Sequence, residues 1–489
     1  MRLFSIRGGI HPDPCKQATE GLATVSLPLP GRLYIPLQQH IGAPANPIIK
    51  IGQRVLKGQR LADSQGHISA PVHAPTSGKI KKIANYPALH PSGLTVRTIL
   101  LEADGRDEAV DPTPCADPLA LAPGEIARRV GEAGVVGMGG ATFPSAVKLN
   151  LGNRYRLQRL VINGAECEPY LTCDDRLMQE QPAEVIDGIR IMMHALGVGE
   201  ALVAIEQNKP RAIRRLREAA GIDPRVRILP VPTRYPMGSE KHLVQALTGR
   251  ETPARGLTAD LGVVVHNPAT ARAVSQAVRH GRPLIERIVT VTGGAIAQPH
   301  NLQAPIGAPI QALIDHCGGF TEAPARLLNG GPMMGQAIPD LGAPVVKGSN
   351  GVLALSRAEV QGRAQSPCIR CARCVQACPC GLLPLEMAAR ARKGDLDGAA
   401  RYGLLDCISC GSCAYVCPAH IPLVQWFSYA RGELTARQRK QHKQEEIKRL
   451  AAARGERMER QQREKREALA RRKAAAGTPT VETAEEAAP

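Results

Sequence analysis

The apolar residues of this chain change their pattern along its length, which predicts several modules rather than one continuous core. In the first ~120 residues, short apolar runs are split by glycines, as between Gly52 and Gly58, a pattern typical of small β elements. The next part alternates between apolar runs and helical periodicity, which predicts a parallel α/β layer. Strands are predicted there at 203–205 and 263–265, and helices at 185–196 and 212–219.

The second half of the chain predicts two further modules and a tail. Residues 287–292 predict the first strand of a smaller β unit, and residues 384–402 predict a helical connection between two cysteine-rich runs. Past Gly432 the chain is rich in Ala, Arg, Glu and Gln, and residues 474–489 have a composition typical of disorder. We therefore predict a β-rich domain at 1–120, an α/β domain at 121–280, a small β domain at 281–345, a cysteine-rich domain at 346–432 and a charged, helical or disordered tail at 433–489.

Half of the net charge of +18 lies in the tail, where residues 437–473 hold 15 Lys/Arg against 6 Asp/Glu. This segment has no aromatic residue for base stacking, so we expect no nucleic-acid partner. The charge predicts an acidic partner or an anionic membrane surface, and a solvated extension without a fixed partner is the alternative. No run approaches 18 apolar residues and the first residues lack an apolar signal core, so we expect no membrane span and no signal peptide.

Two copies of the pattern C-x2-C-x2-C-x3-C-P, 39 residues apart, are the most specific chemical signal in the chain. This is the ligand spacing of two-cluster bacterial ferredoxins, in which the fourth cysteine of each run binds the other run's cluster. Zinc and disulfides are the alternatives, but zinc sites usually use two C-x2-C pairs and disulfides need an oxidising compartment. We predict two [4Fe–4S] clusters, one held by Cys368, Cys371, Cys374 and Cys417 and the other by Cys407, Cys410, Cys413 and Cys378. Cys380 is a neighbouring spare thiol and the alternative to Cys378 as a ligand, but Pro379 favours Cys378.

A glycine-rich loop at residues 137–144 leads straight into a predicted helix at 145–149. Glycines let backbone N–H groups turn toward a phosphate, and Lys148 adds positive charge one turn into the helix. Downstream, the run Asn163-Gly-Ala-Glu166-Cys-Glu168-Pro follows an apolar stretch, where α/β sheets bind ligands. Loops of a purely structural domain are the alternative interpretation.

These motifs resemble a known family. The glycine loop, the Asn-x-x-Glu-x-Glu-Pro run, the segment from Tyr235 to Glu240 and the later Asn267 look like the FMN-binding, NADH-oxidising subunit of respiratory complex I. The closer resemblance is to the C subunit of the Rnf (Rsx) ion-translocating oxidoreductase complex, in which the run Gly8-Gly-Ile-His11-Pro and the run His73-Ala-Pro-Thr-Ser-Gly78 recur. It covers roughly residues 1–430 and implies a multidomain α/β protein. The domains would be an N-terminal barrel-sandwich, a Rossmann-like FMN/NADH domain, a β-grasp SLBB unit and an α-helical ferredoxin domain.

The resemblance also implies roles for single residues, none of them catalytic. Phosphate and ribityl groups of FMN would contact Gly137, Gly139, Gly140 and Lys148; the isoalloxazine would contact Asn163, Glu166 and Asn267; NADH would contact Phe143, Glu168 and Glu240. The sequence departs from the complex I pattern at Met138, Thr142, Ala165 and Ser239.

The function implied is that of an NADH-linked oxidoreductase subunit of the translocase class. It would pass electrons between NADH and low-potential carriers through flavin and two [4Fe–4S] clusters, because a flavin can take two electrons and release one at a time. Its partners would be an iron–sulfur subunit and integral membrane subunits that move ions, with this chain peripheral on the cytoplasmic face of the inner membrane. The alternatives are a cobalamin-type flavin/iron–sulfur reductase outside the Rnf complex and a non-enzymatic iron–sulfur scaffold or sensor.

Overall fold

The computed structural model describes residues 3–90, 92–360, 362 and 364–477. Its N-terminal module is a pair of small sheets with strand orders β2-β8-β7-β4 and β3-β5-β6. The strands of this part are β1 (Val25–Ser26), β2 (Arg32–Pro36), β3 (Asn46–Pro47), β4 (Arg54–Val55), β5 (Arg60–Asp63), β6 (Val72–His73), β7 (Gly78–Pro87) and β8 (Thr95–Ala103). Alternation along β2 buries Leu33 and Ile35 completely, and these side chains pack against Ile80 and Ile99 between the sheets.

The α/β module has a parallel sheet of order β11-β10-β9-β12. Its elements are α1 (Pro123–Glu132), α2 (Ser145–Leu149), β9 (Arg159–Gly164), α3 (Cys173–Glu180), α4 (Pro182–Leu196), β10 (Glu200–Glu206), α5 (Pro210–Ala220), β11 (Val226–Val231), α6 (Glu240–Thr248), β12 (Val263–His266) and α7 (Pro268–Arg279). Four of the helices begin with proline, which suits the first helical turn because its missing N–H has no partner there. The predicted strands and helices of this region all lie within these elements. Because the strand order reverses between β9 and β12, the carboxyl ends of these two strands are where an open α/β sheet binds a ligand.

The third module is a six-stranded sheet of order β1-β14-β13-β17-β15-β16. It consists of β13 (Glu286–Thr292), β14 (His300–Pro305), α8 (Ile310–His316), β15 (Arg326–Asn329), β16 (Gln336–Ala337) and β17 (Gly351–Leu355). The N-terminal β1 pairs with β14, and β17, which lies past residue 345, pairs with β13. Val289 and Leu302 belong to the same buried cluster as Leu33 and Ile35, so this sheet and the N-terminal module share one core.

The cysteine-rich module is helical and continues into a long exposed helix. It comprises α9 (Arg373–Ala377), α10 (Pro384–Arg392), α11 (Leu396–Arg401), α12 (Ser412–Tyr415) and the 54-residue α13 (Leu423–Ala476). Its core packs Met387, Leu404 and Phe427 together. The prediction of disorder at 474–489 is wrong at its start, because α13 continues to Ala476; residues 478–489 lie outside the described residues.

The packing of α4 on α7 depends on Gly188, where an added Cβ would lie 1.8 Å from the Ala271 carbonyl oxygen. We expect Gly188→Ala to force the helices apart and to lower the free energy of unfolding by about 2–3 kcal/mol, which is a fall of roughly 5–10 °C in the thermal midpoint. Gly124→Ala in α1 is the matched control, because nothing lies within 4 Å of its added Cβ. Circular dichroism melting of both variants checks this, and equal midpoints would contradict the proposed close contact.

Candidate functional site

A cleft of about 330 Å³ lies at the carboxyl edge of the parallel sheet, where β9 and β12 end. It is lined by most of the residues that the sequence singled out. These are Gly137, Gly139, Gly140, Phe143, Lys148, Asn163, Glu168, Glu240 and Asn267. Asn163, at the end of β9, donates from Nδ2 to the Gly238 carbonyl at 2.7 Å and so joins two walls of the cleft.

The glycine loop is anchored against the start of α7. The Met138 N–H donates to Thr270 Oγ1 at 3.0 Å, and the Asn267 side chain caps α7 by accepting from the Ala269 N–H at 2.8 Å. A Cβ on Gly139 would lie 2.9 Å from the Asn267 Cβ, whereas a Cβ on Gly140 would meet nothing within 4 Å. Gly139 is therefore required for the loop to approach α7, and Gly140 leaves room for a bound group.

Lys148 and Glu240 face each other across the cleft. Lys148 Nζ lies 3.4 Å from Glu240 Oε2 and donates to the Val265 carbonyl at 3.0 Å, while Thr258 Oγ1 donates to Glu240 Oε1 at 2.6 Å. Both side chains are partly exposed, so the pair contributes little to stability. It places a positive charge at the end of β12, in the region of the cleft next to the glycine loop.

His266 also lines the cleft, and its Nε2 is buried without a hydrogen-bond partner among the residues that the structure describes. Burial, followed by the charge of Lys148, lowers the pKa of His266 to about 3, so the imidazole is neutral. An unpartnered buried nitrogen is costly unless a bound group completes it. The sequence points to the run that begins with His266, but it predicts a role only for the next residue, Asn267.

Glu166 does not line the cleft. Its carboxylate accepts from the Asp174 N–H at 2.7 Å and the Asp175 N–H at 3.3 Å, so it caps the N-terminus of α3. Burial raises the pKa of Glu166 to about 7. Its predicted contact with an isoalloxazine ring stays a prediction.

Glu168 does line the cleft and ties it to the third module. Its carboxylate accepts from the N–H groups of Met333 and Met334 at 3.1 and 2.9 Å, and burial raises its pKa to about 7. A Cβ on Gly331 would lie 2.3 Å from Glu168 Oε2. Met334 is a cleft residue that sequence reasoning missed, and the run Gly330-Gly-Pro-Met-Met-Gly335 was the available signal.

Two buried lysines hold the loop that carries Glu166 and Glu168. Lys16 donates from Nζ to the carbonyls of Glu166 and Glu168, both at 3.1 Å, and of Leu171, and burial lowers its pKa. Lys209 donates to the Ala165 carbonyl at 2.7 Å and forms a fully buried ion pair with Glu206 at 3.3 Å. We call these two side chains the lysine clamp. They satisfy carbonyl groups that have no strand or helix partner.

The cysteines of the two runs surround two separate cavities. The larger cavity is lined by Cys368, Cys371, Cys374 and Cys417, and the smaller by Cys378, Cys407, Cys410 and Cys413, with Cys380 also present. The structure thus brings together the same two sets that the spacing predicted. Among the described residues, no three His, Cys, Asp or Glu side chains are placed to hold a single metal ion.

The smaller cysteine cavity adjoins the cleft. Ile408 and Cys410 line both of them, and the Tyr235 hydroxyl donates to the Cys410 carbonyl at 2.7 Å. Met387 lines the smaller cavity and the next residue, Ala388, lines the larger one, so the two cavities lie beside each other on α10. The smaller cavity therefore has the cleft on one side and the larger cavity on the other. No helix in the described part of the chain is long and apolar enough to cross a bilayer.

Four family profiles match the chain in order. They are the RnfC barrel sandwich hybrid domain at residues 4–106, the Nuo51 FMN-binding domain at 130–276, the SLBB domain at 288–337 and the 4Fe-4S dicluster domain at 367–421. These matches confirm the predicted fold class.

Curated relatives match nearly the whole chain. The C subunit of the ion-translocating oxidoreductase complex of Rhodobacter capsulatus is 55% identical over 446 residues, which cover 91% of this chain and 86% of the relative. The C subunit of the proton-translocating ferredoxin:NAD(+) oxidoreductase complex of Clostridium ljungdahlii is 43% identical, with 88% of this chain and 94% of the relative covered. Among solved structures, an NAD+-reducing [NiFe]-hydrogenase in the H2-reduced state is 17% identical, with 66% of this chain and 63% of that chain covered and a TM-score of 0.45, too weak a likeness to inform the function.

The lysine clamp can be tested through the buried pair of Lys209 and Glu206. We expect Lys209→Met to lower the free energy of unfolding by about 3–5 kcal/mol, because it leaves the Glu206 carboxylate buried and unpaired. The double variant Lys209→Met/Glu206→Gln should recover at least half of that loss, since the Glu206 position then carries no charge that lacks its partner. Urea unfolding followed by circular dichroism measures both, and a double variant as unstable as the single one would contradict the assigned ion pair.

Proposed function

Since this chain belongs to the RnfC family, the C subunits of ion-translocating oxidoreductase complexes, we propose that it passes electrons between NADH and a low-potential carrier such as ferredoxin. FMN and two [4Fe–4S] clusters carry the electrons, and partner subunits couple the transfer to ion movement. The observation that carries the proposal is the wall shared by the cleft and the smaller cysteine cavity at Ile408 and Cys410. This wall lies between the cleft and the cysteines that would hold the second cluster, Cys378, Cys407, Cys410 and Cys413.

The residues of the cleft fit FMN. Gly139 and Gly140 line the cleft together with the positive charge of Lys148, which suits a phosphate, and His266 Nε2 is available to a polar atom of a ligand. A phosphate would compete with Glu240 for Lys148, leaving the Glu240 carboxylate to face NADH. When bound, FMN would accept a hydride from NADH and release two single electrons.

Glu168 is the group in the cleft best suited to exchange a proton. Oxidation of NADH yields two electrons and one proton, so a titratable group near the reacting atoms is useful. The Glu168 carboxyl has a pKa of about 7, raised mainly by burial, and the N–H groups of Met333 and Met334 fix its orientation. It can therefore hold or release a proton at its carboxylate oxygens at neutral pH.

The order of the cleft and the two cysteine cavities supports an order for the flavin and the two clusters along the electron path. The site of Cys378, Cys407, Cys410 and Cys413 borders the cleft, and Cys368 and Cys371 at the other site are exposed. We therefore place the cluster of Cys410 next to the flavin and the cluster of Cys371 at the surface, where an iron–sulfur partner subunit would dock. The two electrons of one NADH suffice to reduce each cluster once. Docking on integral membrane subunits would place the chain at the cytoplasmic face of the inner membrane.

The flavin site is tested by Gly139→Asp. The new carboxylate would repel the FMN phosphate, and its Cβ would clash with Asn267, so we expect FMN affinity to fall at least about tenfold. Gly124→Asp, on the exposed face of α1, adds the same charge where nothing lies within 4 Å and is the control. Flavin fluorescence after desalting measures retention. If Gly139→Asp retained FMN as well as the wild type does, the proposal that the FMN phosphate binds at the glycine loop would be wrong.

The electron path is tested by the matched variants Cys410→Ser and Cys371→Ser in the iron–sulfur-reconstituted, FMN-loaded protein under anaerobic conditions. Each should lower the iron content from about eight toward four atoms per chain. In Cys371→Ser, NADH should still reduce the flavin and the remaining cluster. In Cys410→Ser, NADH should still reduce the flavin at once. It should reduce the remaining cluster at least about tenfold more slowly than dithionite does, because the cluster that lies between the flavin and the remaining cluster is lost.

Absorbance and electron paramagnetic resonance follow these steps. If the remaining cluster of Cys410→Ser were reduced by NADH at the wild-type rate, the proposed order would be wrong. If wild-type clusters responded to dithionite and never to NADH, the NADH role itself would fail for this chain.

A further inference from the structure

Most of helix α13 has no partner within the described part of the chain. Its last buried side chain is Leu434, and the 42 residues from there to Ala476 extend for ~63 Å at 1.5 Å per residue. Apart from Ala453, which is half-buried, every residue between 438 and 476 is exposed. A helix of this length has to be stabilised by its own charge pairs or by a surface outside this chain.

The large apolar side chains of this segment lie on one side of the helix. Ile447, Met458 and Leu469 are spaced by 11 residues, which is close to three full turns, so they fall within 40° of each other at 100° per residue. Leu450 lies 60° from Ile447 on the same side. All four side chains are more than half exposed. They form a line along the helix.

The charged side chains are also distributed unequally between the half of the helix that carries the apolar line and the opposite half. Within 90° of the Ile447 direction, residues 438–473 carry eight Lys/Arg and no Asp/Glu. The opposite half carries six Lys/Arg and six Glu, and its formal charge is zero. The excess charge of the segment therefore lies entirely on the half that also carries the apolar line. A charged helix adapted only to water would have no reason to separate its charges in this way.

We propose that this half of α13, the basic face, lies on an anionic lipid bilayer, with its apolar line in the acyl boundary and its Lys/Arg side chains on lipid phosphates. Basic residues lie between the apolar side chains of the line as well as beside them, and long basic side chains can extend from there to the headgroups. A bilayer offers continuous negative charge along the whole ~54 Å of residues 438–473, which an acidic protein would have to match with an equally long strip. Nucleic acid is disfavoured because the segment has no aromatic residue for stacking and exposes apolar side chains at the centre of the face.

The proposal is independent of the redox site and adds a direct lipid contact to a protein without a membrane-spanning helix in its described residues. Full-length protein is mixed with vesicles of phosphatidylcholine alone or with about 30% phosphatidylglycerol at about 0.1 M salt, and binding is measured by flotation. We expect binding to the anionic vesicles at least about tenfold tighter than to the neutral ones, and weakened by high salt.

Two triple variants form the matched test. Lys443→Gln/Arg454→Gln/Lys465→Gln removes three charges from the basic face, and Arg449→Gln/Arg460→Gln/Arg471→Gln removes three from the opposite half at the same 11-residue spacing. We expect the first to weaken binding about tenfold or more and the second less than about threefold. Met458→Gln/Leu469→Gln should also weaken binding while leaving the salt dependence unchanged. Circular dichroism checks that all variants keep their helix content, and NADH-dependent cluster reduction should stay unchanged.

Equal weakening by the two triple variants would overturn the assignment of the basic face. Absence of binding to anionic vesicles would overturn the lipid contact. Tighter binding to duplex DNA than to the vesicles would overturn the lipid contact in favour of a nucleic acid. Tighter binding to polyglutamate would overturn it in favour of an acidic protein.

Discussion

The hydrogen bond from the Tyr235 hydroxyl to the Cys410 carbonyl joins the cleft to the cysteine-rich module, and the placement of every redox site depends on this joint. The backbone of Tyr235 also pairs with Ile10 in both directions, and the Gly9 N–H donates to the Ala377 carbonyl at 2.9 Å. The N-terminal segment thus contacts the α/β module and the cysteine-rich module at once. Electrons pass only over short distances. The segments around Ile10, Tyr235 and Cys410, which are far apart in the sequence, must therefore meet beside the cleft.

A second physical device recurs where irregular loops meet, a buried lysine that donates to several carbonyls. Lys16 and Lys209 do this beside the cleft, and Lys347 donates to the carbonyls of Pro71 and Gly134 at 2.8 and 2.7 Å. Burial lowers the pKa of Lys347 to about 7. Irregular loops that meet at a joint leave carbonyl groups without strand partners, and one ammonium group can satisfy two or three of them. Each such lysine replaces a hydrogen-bond ladder that the loops cannot form.

The sequence predicted features whose chemistry is local. The two cysteine sets follow from spacing because a cluster needs its ligands around one small turn, and the glycine loop precedes α2 as its composition indicates. Three features were not predicted, because each depends on contacts between distant segments. They are the lysine clamp, the position of His266 in the cleft, and the position of Cys410 in the wall between the cleft and the smaller cysteine cavity. The contact of the Glu166 carboxylate with the first turn of α3 was not predicted either.

Helix α13 connects the larger cysteine cavity with the charged tail of the chain. Its first residue, Leu423, lines the larger cysteine cavity, and Phe427 and Leu434 pack into the core of that module. The same unbroken helix then carries the basic face. A continuous helix transmits orientation along its length, since its backbone hydrogen bonds resist bending. A basic face fixed on a bilayer would therefore also fix the direction in which the exposed Cys368 and Cys371 point, and with it the side from which an electron-transfer partner approaches.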